Sequence, residues 1–121
     1  MPRPNRLTVA GYPHHDIQRG NNRQAIFFED ADRRVFLSAL SEALETHQCA
    51  LHAYVLMTNH VHLLITPRGD VGLGGTMQAL GRRYVGHVNR RYARTGTLWD
   101  GRGPRRRSST RIVMSWPAIA T

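Results

Sequence analysis

Two histidines separated by one residue are the clearest candidates for chemistry in this sequence. His60 and His62 lie in an apolar run rich in β-branched residues, which predicts a β-strand. Because successive side chains of a strand alternate between its faces, both imidazoles should project from one face, roughly 6.5 to 7 Å apart. That spacing suits two ligands on one cation, which would polarise a phosphoryl oxygen for in-line attack. An isolated His-x-His also arises by accident on solvent-facing strands, so the motif alone leaves both interpretations open.

The first elements that must position this pair are a strand and a helix. A strand is predicted over residues 14–19, because the turn signal Gly20-Asn21-Asn22-Arg23 follows it. A helix is predicted from Ala31 to about Thr46, with Asp30 as its N-cap. Its apolar residues recur at helical spacing along one side; they are Phe36, Leu37, Leu40 and Leu44.

A hairpin and a second helix complete the predicted fold. The apolar runs 49–57 and 60–66 are separated only by Thr58-Asn59, which predicts two antiparallel strands. A two-residue loop pairs His62 with Val55 and directs His52 away from the histidine face; the residues expected on that face are Leu51, Ala53, Val55 and Met57. A second helix follows from the stripe Met77, Leu80, Tyr84, Val88 and Tyr92. The order β-α-β-β-α predicts an α+β sandwich with both helices on one face of an antiparallel sheet.

Composition limits the function classes. The chain has 121 residues, enough for one domain, and its single cysteine excludes an internal disulfide and a cysteine-rich zinc site. No apolar run approaches the ~20 residues needed to span a bilayer, and the N-terminus has no signal-peptide pattern, so a cytoplasmic protein is expected. All 17 basic residues are arginine against 8 acids, a net charge of +9. This excess favours a polyanionic partner such as nucleic acid.

Four ordered blocks of sequence resemble one known family. The segment from Ala53 to Leu64 closely resembles the HUH signature of single-tyrosine insertion-sequence transposases, in particular the REP-associated tyrosine transposases. Further blocks at 11–23, 28–37 and 81–102 are similar to the same family. The resemblance covers residues 1–102, and its specificity lies in the agreement of all four blocks.

The resemblance implies DNA transposition by a ferredoxin-like domain, often dimeric, that binds a hairpin in single-stranded DNA and cleaves beside it. Members of the family attack the phosphate with a tyrosine on a late helix, while two histidines and a third polar side chain hold Mg²⁺ or Mn²⁺. Carried over by position, His60 and His62 are the expected metal ligands. The resemblance also implies single-stranded or hairpin DNA as partner, a homodimer, and a place in the bacterial cytoplasm near the nucleoid.

The arginines and the turn amides are candidate DNA contacts. Around the turn these are Arg19, Asn21, Asn22 and Arg23, for which DNA contact and plain hairpin chemistry are about equally supported. The second helix and the segment after it add Arg82, Arg83, Arg90, Arg91, Arg94 and Arg102. Such a face is a generic solvated surface in most proteins, but the overall arginine excess favours DNA.

The family's nucleophilic tyrosine has no counterpart in this sequence. The expected segment after the Trp-x-Gly-Arg block is missing, and Tyr84 is only a fallback nucleophile, since its helical position favours core packing. Residues 103–121 resemble no part of the family and are expected to be disordered or derived from a frameshift. Permitted codons for residues 107–121 can be read in another frame as LVDSDRYVLACHRY, similar to the family's continuation. The sequence therefore predicts an inactive transposase-like domain or, alternatively, a non-catalytic DNA-binding remnant acting as a hairpin binder or repressor.

Overall fold

The computed structural model describes residues 8–69 and 72–99 and the backbone of residues 109–112. Four strands form one antiparallel sheet in the order β2-β3-β1-β4, and two helices cover one of its faces. The predicted ferredoxin-like α+β sandwich is confirmed. In chain order the elements are β1 (His14–Arg19), α1 (Asp30–Thr46), β2 (Cys49–Leu56), β3 (His60–Pro67), α2 (Gly72–Arg91) and β4 (Ser109–Ile112).

Strand β3 divides the molecule into a core side and an outer side. Val61, Leu63 and Ile65 are fully buried and face the helices, so the residues between them face outward. The two helices supply large buried side chains at helical spacing to the same core; these include Phe36, Leu40, Leu80, Tyr84 and Val88. His60 and His62 thus lie on the face of the sheet that the helices leave uncovered.

Helix α1 begins one residue earlier than the sequence predicted. Its N-cap is Glu29 and not Asp30. The side chain of Glu29 accepts from the backbone N–H of Asp32, and the side chain of Asp32 accepts from the backbone N–H of Glu29, which together form a capping box. The expected cap residue Asp30 is instead the first helical residue and is exposed. Within the described residues, no helix is both long and apolar enough to cross a membrane.

A β-bulge in β2 overturns the predicted orientation of His52. Leu51 pairs with Ile65 and Ala53 with Leu64, so His52 is the extra residue between two registers. Its Nε2 lies 2.7 Å from Oγ1 of Thr66, on the outer face. The bulge also turns Leu51 towards the helices, where it packs against the core. The hairpin register near the loop is as predicted, because Val55 pairs with His62.

The C-terminal segment supplies a strand that the sequence analysis did not predict. Ser109–Ile112 form β4, which pairs antiparallel with β1 at the edge of the sheet. These four residues therefore have regular structure, contrary to the expectation of disorder for this stretch. The rest of residues 103–121 and Arg102 lie outside the described residues. The division at residue 102 and the frameshift origin of the segment stay predictions.

Candidate functional site

The outer face of the sheet brings the two motif histidines together. The rings of His60 and His62 are partly buried, with centroids 5.0 Å apart and planes inclined by 73°. Strand β1 runs beside them, with Arg19 opposite His60 and Ile17 opposite His62. Within the described ranges, no group of three or more histidine, cysteine, aspartate or glutamate side chains could hold a metal ion. Any cation at this pair would therefore complete its shell with water or other ligands.

Asn59 fixes the protonation pattern of His60. Oδ1 of Asn59 lies 2.9 Å from Nδ1 of His60. An amide oxygen only accepts hydrogen bonds, so Nδ1 of His60 carries the hydrogen and Nε2 carries the lone pair. Burial lowers the pKa of His60 below its usual value, and His62 and Arg19 lower it further. A neutral imidazole is the form that binds cations.

His62 has a partner that the sequence analysis left unassigned. Nε2 of His15 lies 3.0 Å from Nδ1 of His62, and the two rings stack with centroids 5.2 Å apart and planes inclined by 21°. The sequence alone could have indicated that His15 lies on the same face of β1 as Arg19, because side chains alternate along a strand. The contact itself depends on the pairing of β1 with β3, which a single sequence does not provide.

A polar cleft adjoins His60. Its lining is Arg19, Gly20, Asn22, Arg23, Asn59 and His60, and its volume is about 570 Å³. Asn22 and Arg23 both have left-handed backbones, with φ of 55° and 61°, an uncommon conformation for arginine. The turn is held to the β2–β3 loop by the Gly20 N–H, which donates to the Asn59 carbonyl at 2.9 Å. This anchored turn presents the exposed side chains of Arg19 and Arg23 beside the histidine pair.

The arginines of α2 and of the loop after it are not part of the lining of this cleft, and three have partners within the chain. Arg83 pairs with Glu42 of α1, and Arg91 donates to Glu29 at 2.5 Å. Arg94 donates to Oε1 of Gln24 at 2.8 Å. Helix α2 packs on the face opposite the histidines, so its exposed arginines do not extend the histidine surface. The DNA-binding role expected for Arg82, Arg83, Arg90, Arg91 and Arg94 stays a prediction.

Tyr84 of α2 and Tyr92, which directly follows that helix, both lie on the helix side of the sheet. Tyr84 is fully buried, and its hydroxyl donates to the Ile26 carbonyl at 2.6 Å. Burial raises the pKa of Tyr84, with Asp32 and Tyr92 adding to the rise. This placement fits the core interpretation that the sequence favoured and lends no support to Tyr84 as the fallback nucleophile. The other two tyrosines, Tyr12 and Tyr54, are each about half exposed.

A buried carboxylate joins the two helices on that side. Asp32 accepts hydrogen bonds from the hydroxyl of Tyr92 at 2.6 Å and from Nε2 of His87 at 2.9 Å. The backbone N–H groups of Phe28 and Glu29 donate to it at 3.0 and 3.2 Å. Burial on its own would raise the pKa of Asp32, but the four hydrogen bonds outweigh it and leave that pKa below the usual value. The carboxylate of Asp32 thus has hydrogen-bond partners within the chain, and these contacts hold the start of α1 against the C-terminal part of α2 and Tyr92.

Comparison with known proteins gives a family and a shared fold. A family model described as "Transposase IS200 like" matches residues 8–102. The chain is similar to a REP-associated tyrosine transposase bound to a REP hairpin, with a TM-score of 0.73 at 13% identity over 99% of this chain and 67% of that chain. It is also similar to a candidate transposase from Deinococcus radiodurans R1, with a TM-score of 0.63 at 19% identity over 98% of this chain and 91% of that chain. The curated proteins gave no match.

Proposed function

Because this chain belongs to the IS200-like transposase family, we propose that it is a DNA-processing domain that binds hairpin-forming single-stranded DNA on the outer face of its sheet. The observation that carries the proposal is that His60 lines the same cleft as Arg19 and Arg23, with the ring of His62 next to that of His60. A cation on the imidazoles and a phosphodiester in the cleft would be neighbours. The solved neighbour bound to a REP hairpin supports hairpin DNA as the class of ligand.

The histidine pair fits a divalent cation. Ring centroids 5.0 Å apart place the two imidazoles close enough together for both to be candidate ligands of one cation. Imidazole nitrogen suits Mn²⁺ better than Mg²⁺, which prefers oxygen ligands, so Mn²⁺ is the better fit of the two. A bound cation would supply Lewis-acid polarisation of a phosphoryl oxygen. His60 would bind such a cation through Nε2, since its Nδ1 is hydrogen-bonded to Asn59.

The cleft beside His60 has the chemistry of a phosphate site. Arg19 and Arg23 are exposed, and a guanidinium pairs with phosphate oxygens through two parallel hydrogen bonds. Asn22 adds an amide that can contact either a phosphate or a base edge. Because the turn is anchored to the β2–β3 loop, these groups are held in place before DNA arrives.

This chain is proposed to bind DNA without forming a covalent adduct. The hydroxyls of Tyr84 and Tyr92 both donate on the helix side of the sheet, away from the outer face. That observation favours the second candidate function, a non-catalytic hairpin binder that would occupy the same DNA as a repressor does. Both candidates use the same cleft and cation pair, and only DNA cleavage separates them.

The homodimer and the nucleoid association implied by the family resemblance belong to the same proposal. A net charge of +9 supports association with DNA. Sedimentation of the protein alone and with a hairpin oligonucleotide measures the stoichiometry, and a monomeric complex would contradict the dimer.

DNA binding is tested by fluorescence anisotropy with a labelled hairpin carrying a single-stranded flank. Arg19→Gln should weaken binding by about 5- to 20-fold and reduce the magnitude of the salt slope by about 0.7, as expected for one lost phosphate contact on a single strand. Arg34→Gln is the matched control, because Arg34 is an exposed arginine on α1 in the helix layer. Equal affinities for the two variants would contradict the placement of DNA in the cleft.

Cleavage is tested on the same oligonucleotide with Mn²⁺, by denaturing gel electrophoresis of the protein and of the DNA. We expect a retarded complex under native conditions and no protein–DNA adduct under denaturing conditions. An adduct that persists in denaturant and disappears in Tyr54→Phe or Tyr12→Phe would identify a nucleophile and refute the non-catalytic assignment.

A further inference from the structure

We propose that His15 is a positioning residue that holds His62 in the tautomer and orientation needed to bind a cation through Nε2. The inference rests on the proposed function, because it concerns the same pair of imidazoles. Its structural basis is the 3.0 Å contact between Nε2 of His15 and Nδ1 of His62, made by two nearly parallel rings.

The direction of this hydrogen bond decides what His62 can do. If Nε2 of His15 accepts, Nδ1 of His62 carries the hydrogen and Nε2 of His62 holds the lone pair. If the bond runs the other way, Nε2 of a neutral His62 is protonated and binds no cation. Histidines that ligate metals almost always donate their other ring N–H to a nearby acceptor, which fixes both tautomer and ring orientation. In this arrangement His15 is that acceptor.

His60 is oriented in the same way as His62, but its hydrogen-bond acceptor is an amide oxygen and not an imidazole nitrogen. Nδ1 of His60 faces the amide oxygen of Asn59 at 2.9 Å, so its Nε2 also holds the lone pair. With both Nδ1 atoms committed to partners, the two Nε2 atoms are the nitrogens left for one cation. Two partners from different elements, the β1 strand and the β2–β3 loop, thus prepare the two ligands in the same way.

The register places His15 as a partner of His62 and not as a third ligand. His15 lies opposite Leu64, four residues along β3 from His60, or about 13 Å at the rise of a strand. Its Nε2 is directed at His62. Consistent with this, the described residues contain no three-residue cluster of metal-ligating side chains.

Two substitutions separate positioning from general structural support. His15→Leu removes the acceptor and should weaken Mn²⁺ binding by about 10- to 100-fold, the effect typical of losing such a partner. His15→Gln restores an amide oxygen, the group that Asn59 offers to His60, and should bind Mn²⁺ within about threefold of the wild type. His52→Leu is the matched control, because His52 is another outer-face histidine and contacts Thr66 instead.

The measurements are Mn²⁺ titration by electron paramagnetic resonance and ¹⁵N NMR of the imidazoles in metal-free protein. NMR should show Nδ1–H tautomers for His60 and His62, with His62 alone shifting towards Nε2–H in His15→Leu. Unchanged Mn²⁺ affinity or an unchanged His62 tautomer in His15→Leu overturns the inference, as does ¹⁵N hyperfine coupling that identifies His15 as a ligand. If the wild type itself binds no Mn²⁺, the proposed metal site is wrong. That outcome differs from failure of the His15 inference alone, in which the wild type binds Mn²⁺ and His15→Leu binds it equally well.

Discussion

Replacing Asp32 by asparagine removes a buried charge near the start of α1 that binds groups at the end of α2. Oδ2 of Asp32 accepts from the N–H of Phe28 and Glu29 and from the hydroxyl of Tyr92, and Oδ1 faces His87. An asparagine has one oxygen and one amino group, so it satisfies the three donors only by turning its amino group towards His87. The three remaining hydrogen bonds lose their charge assistance.

The expected loss of stability follows from that count. Hydrogen bonds to charged groups contribute about 1.5 to 3 kcal/mol each, and neutral ones about 0.5 to 1.5 kcal/mol. Part of the difference is offset, because the buried carboxylate carries a desolvation cost that asparagine avoids. We therefore expect Asp32→Asn to lower the free energy of unfolding by about 2 to 4 kcal/mol at pH 7. Against a total of about 5 to 15 kcal/mol, that is a large fraction.

The difference between the wild type and Asp32→Asn should depend on pH with a definite sign. The pKa of Asp32 is lower in the folded protein than its ordinary value of 3.8, so folding favours the ionised form. This contribution is fully present above pH 3.8 and is lost as the pH falls through the lowered folded-state pKa. The stability gap should therefore shrink in acid, as Asp32 of the folded wild type becomes protonated.

Urea denaturation followed by circular dichroism measures both effects. Asp30→Asn is the matched control, since Asp30 lies on the same helix with 85% of its side chain exposed and pairs only loosely with Arg33 at 3.6 Å. Its variant should differ from the wild type by less than about 0.5 kcal/mol. An Asp32→Asn protein as stable as the Asp30→Asn control would refute the account of the buried carboxylate.

Three other substitutions test packing. Tyr84→Phe leaves the buried carbonyl of Ile26 without its 2.6 Å partner and should destabilise the fold by about 1 to 3 kcal/mol in urea denaturation, without changing Mn²⁺ affinity. Gly20→Ala would place its Cβ 2.2 Å from the carbonyl oxygen of Gln24, so the turn must shift; we expect a loss of about 1 to 3 kcal/mol and weaker hairpin binding. Gly74→Ala, with open space around the new Cβ, should instead gain about 0.5 to 1 kcal/mol by thermal denaturation. A Gly20→Ala protein that matches Gly74→Ala in both assays would contradict the steric argument.

Local signals were enough for the framework of the fold and for the histidine pair. The turn signal after residue 19 placed β1 at residues 14–19, and the apolar runs placed the hairpin strands within a residue of their bounds. Side-chain alternation put His60 and His62 on one face, and the four blocks that resemble the family pointed to DNA chemistry. Strand β4 escaped prediction, because its Ser-Thr-Arg-Ile sequence has no local pattern that separates it from the polar segment before it.

Only the tertiary structure decided which groups surround the pair. The contact of His15 with His62 requires the long-range pairing of β1 with β3, a register that no local pattern encodes. The bulge at His52 moves the side chains before it to the opposite face of the sheet. Side chains alternate between faces at every residue, so one inserted residue exchanges the two faces. Glu42 likewise reaches Arg83 only after the two helices pack side by side. The sequence by itself determined the elements and the ligand pair, because those depend on neighbours along the chain; the partners that orient the ligands depend on strand register and packing, which exist only in the folded protein.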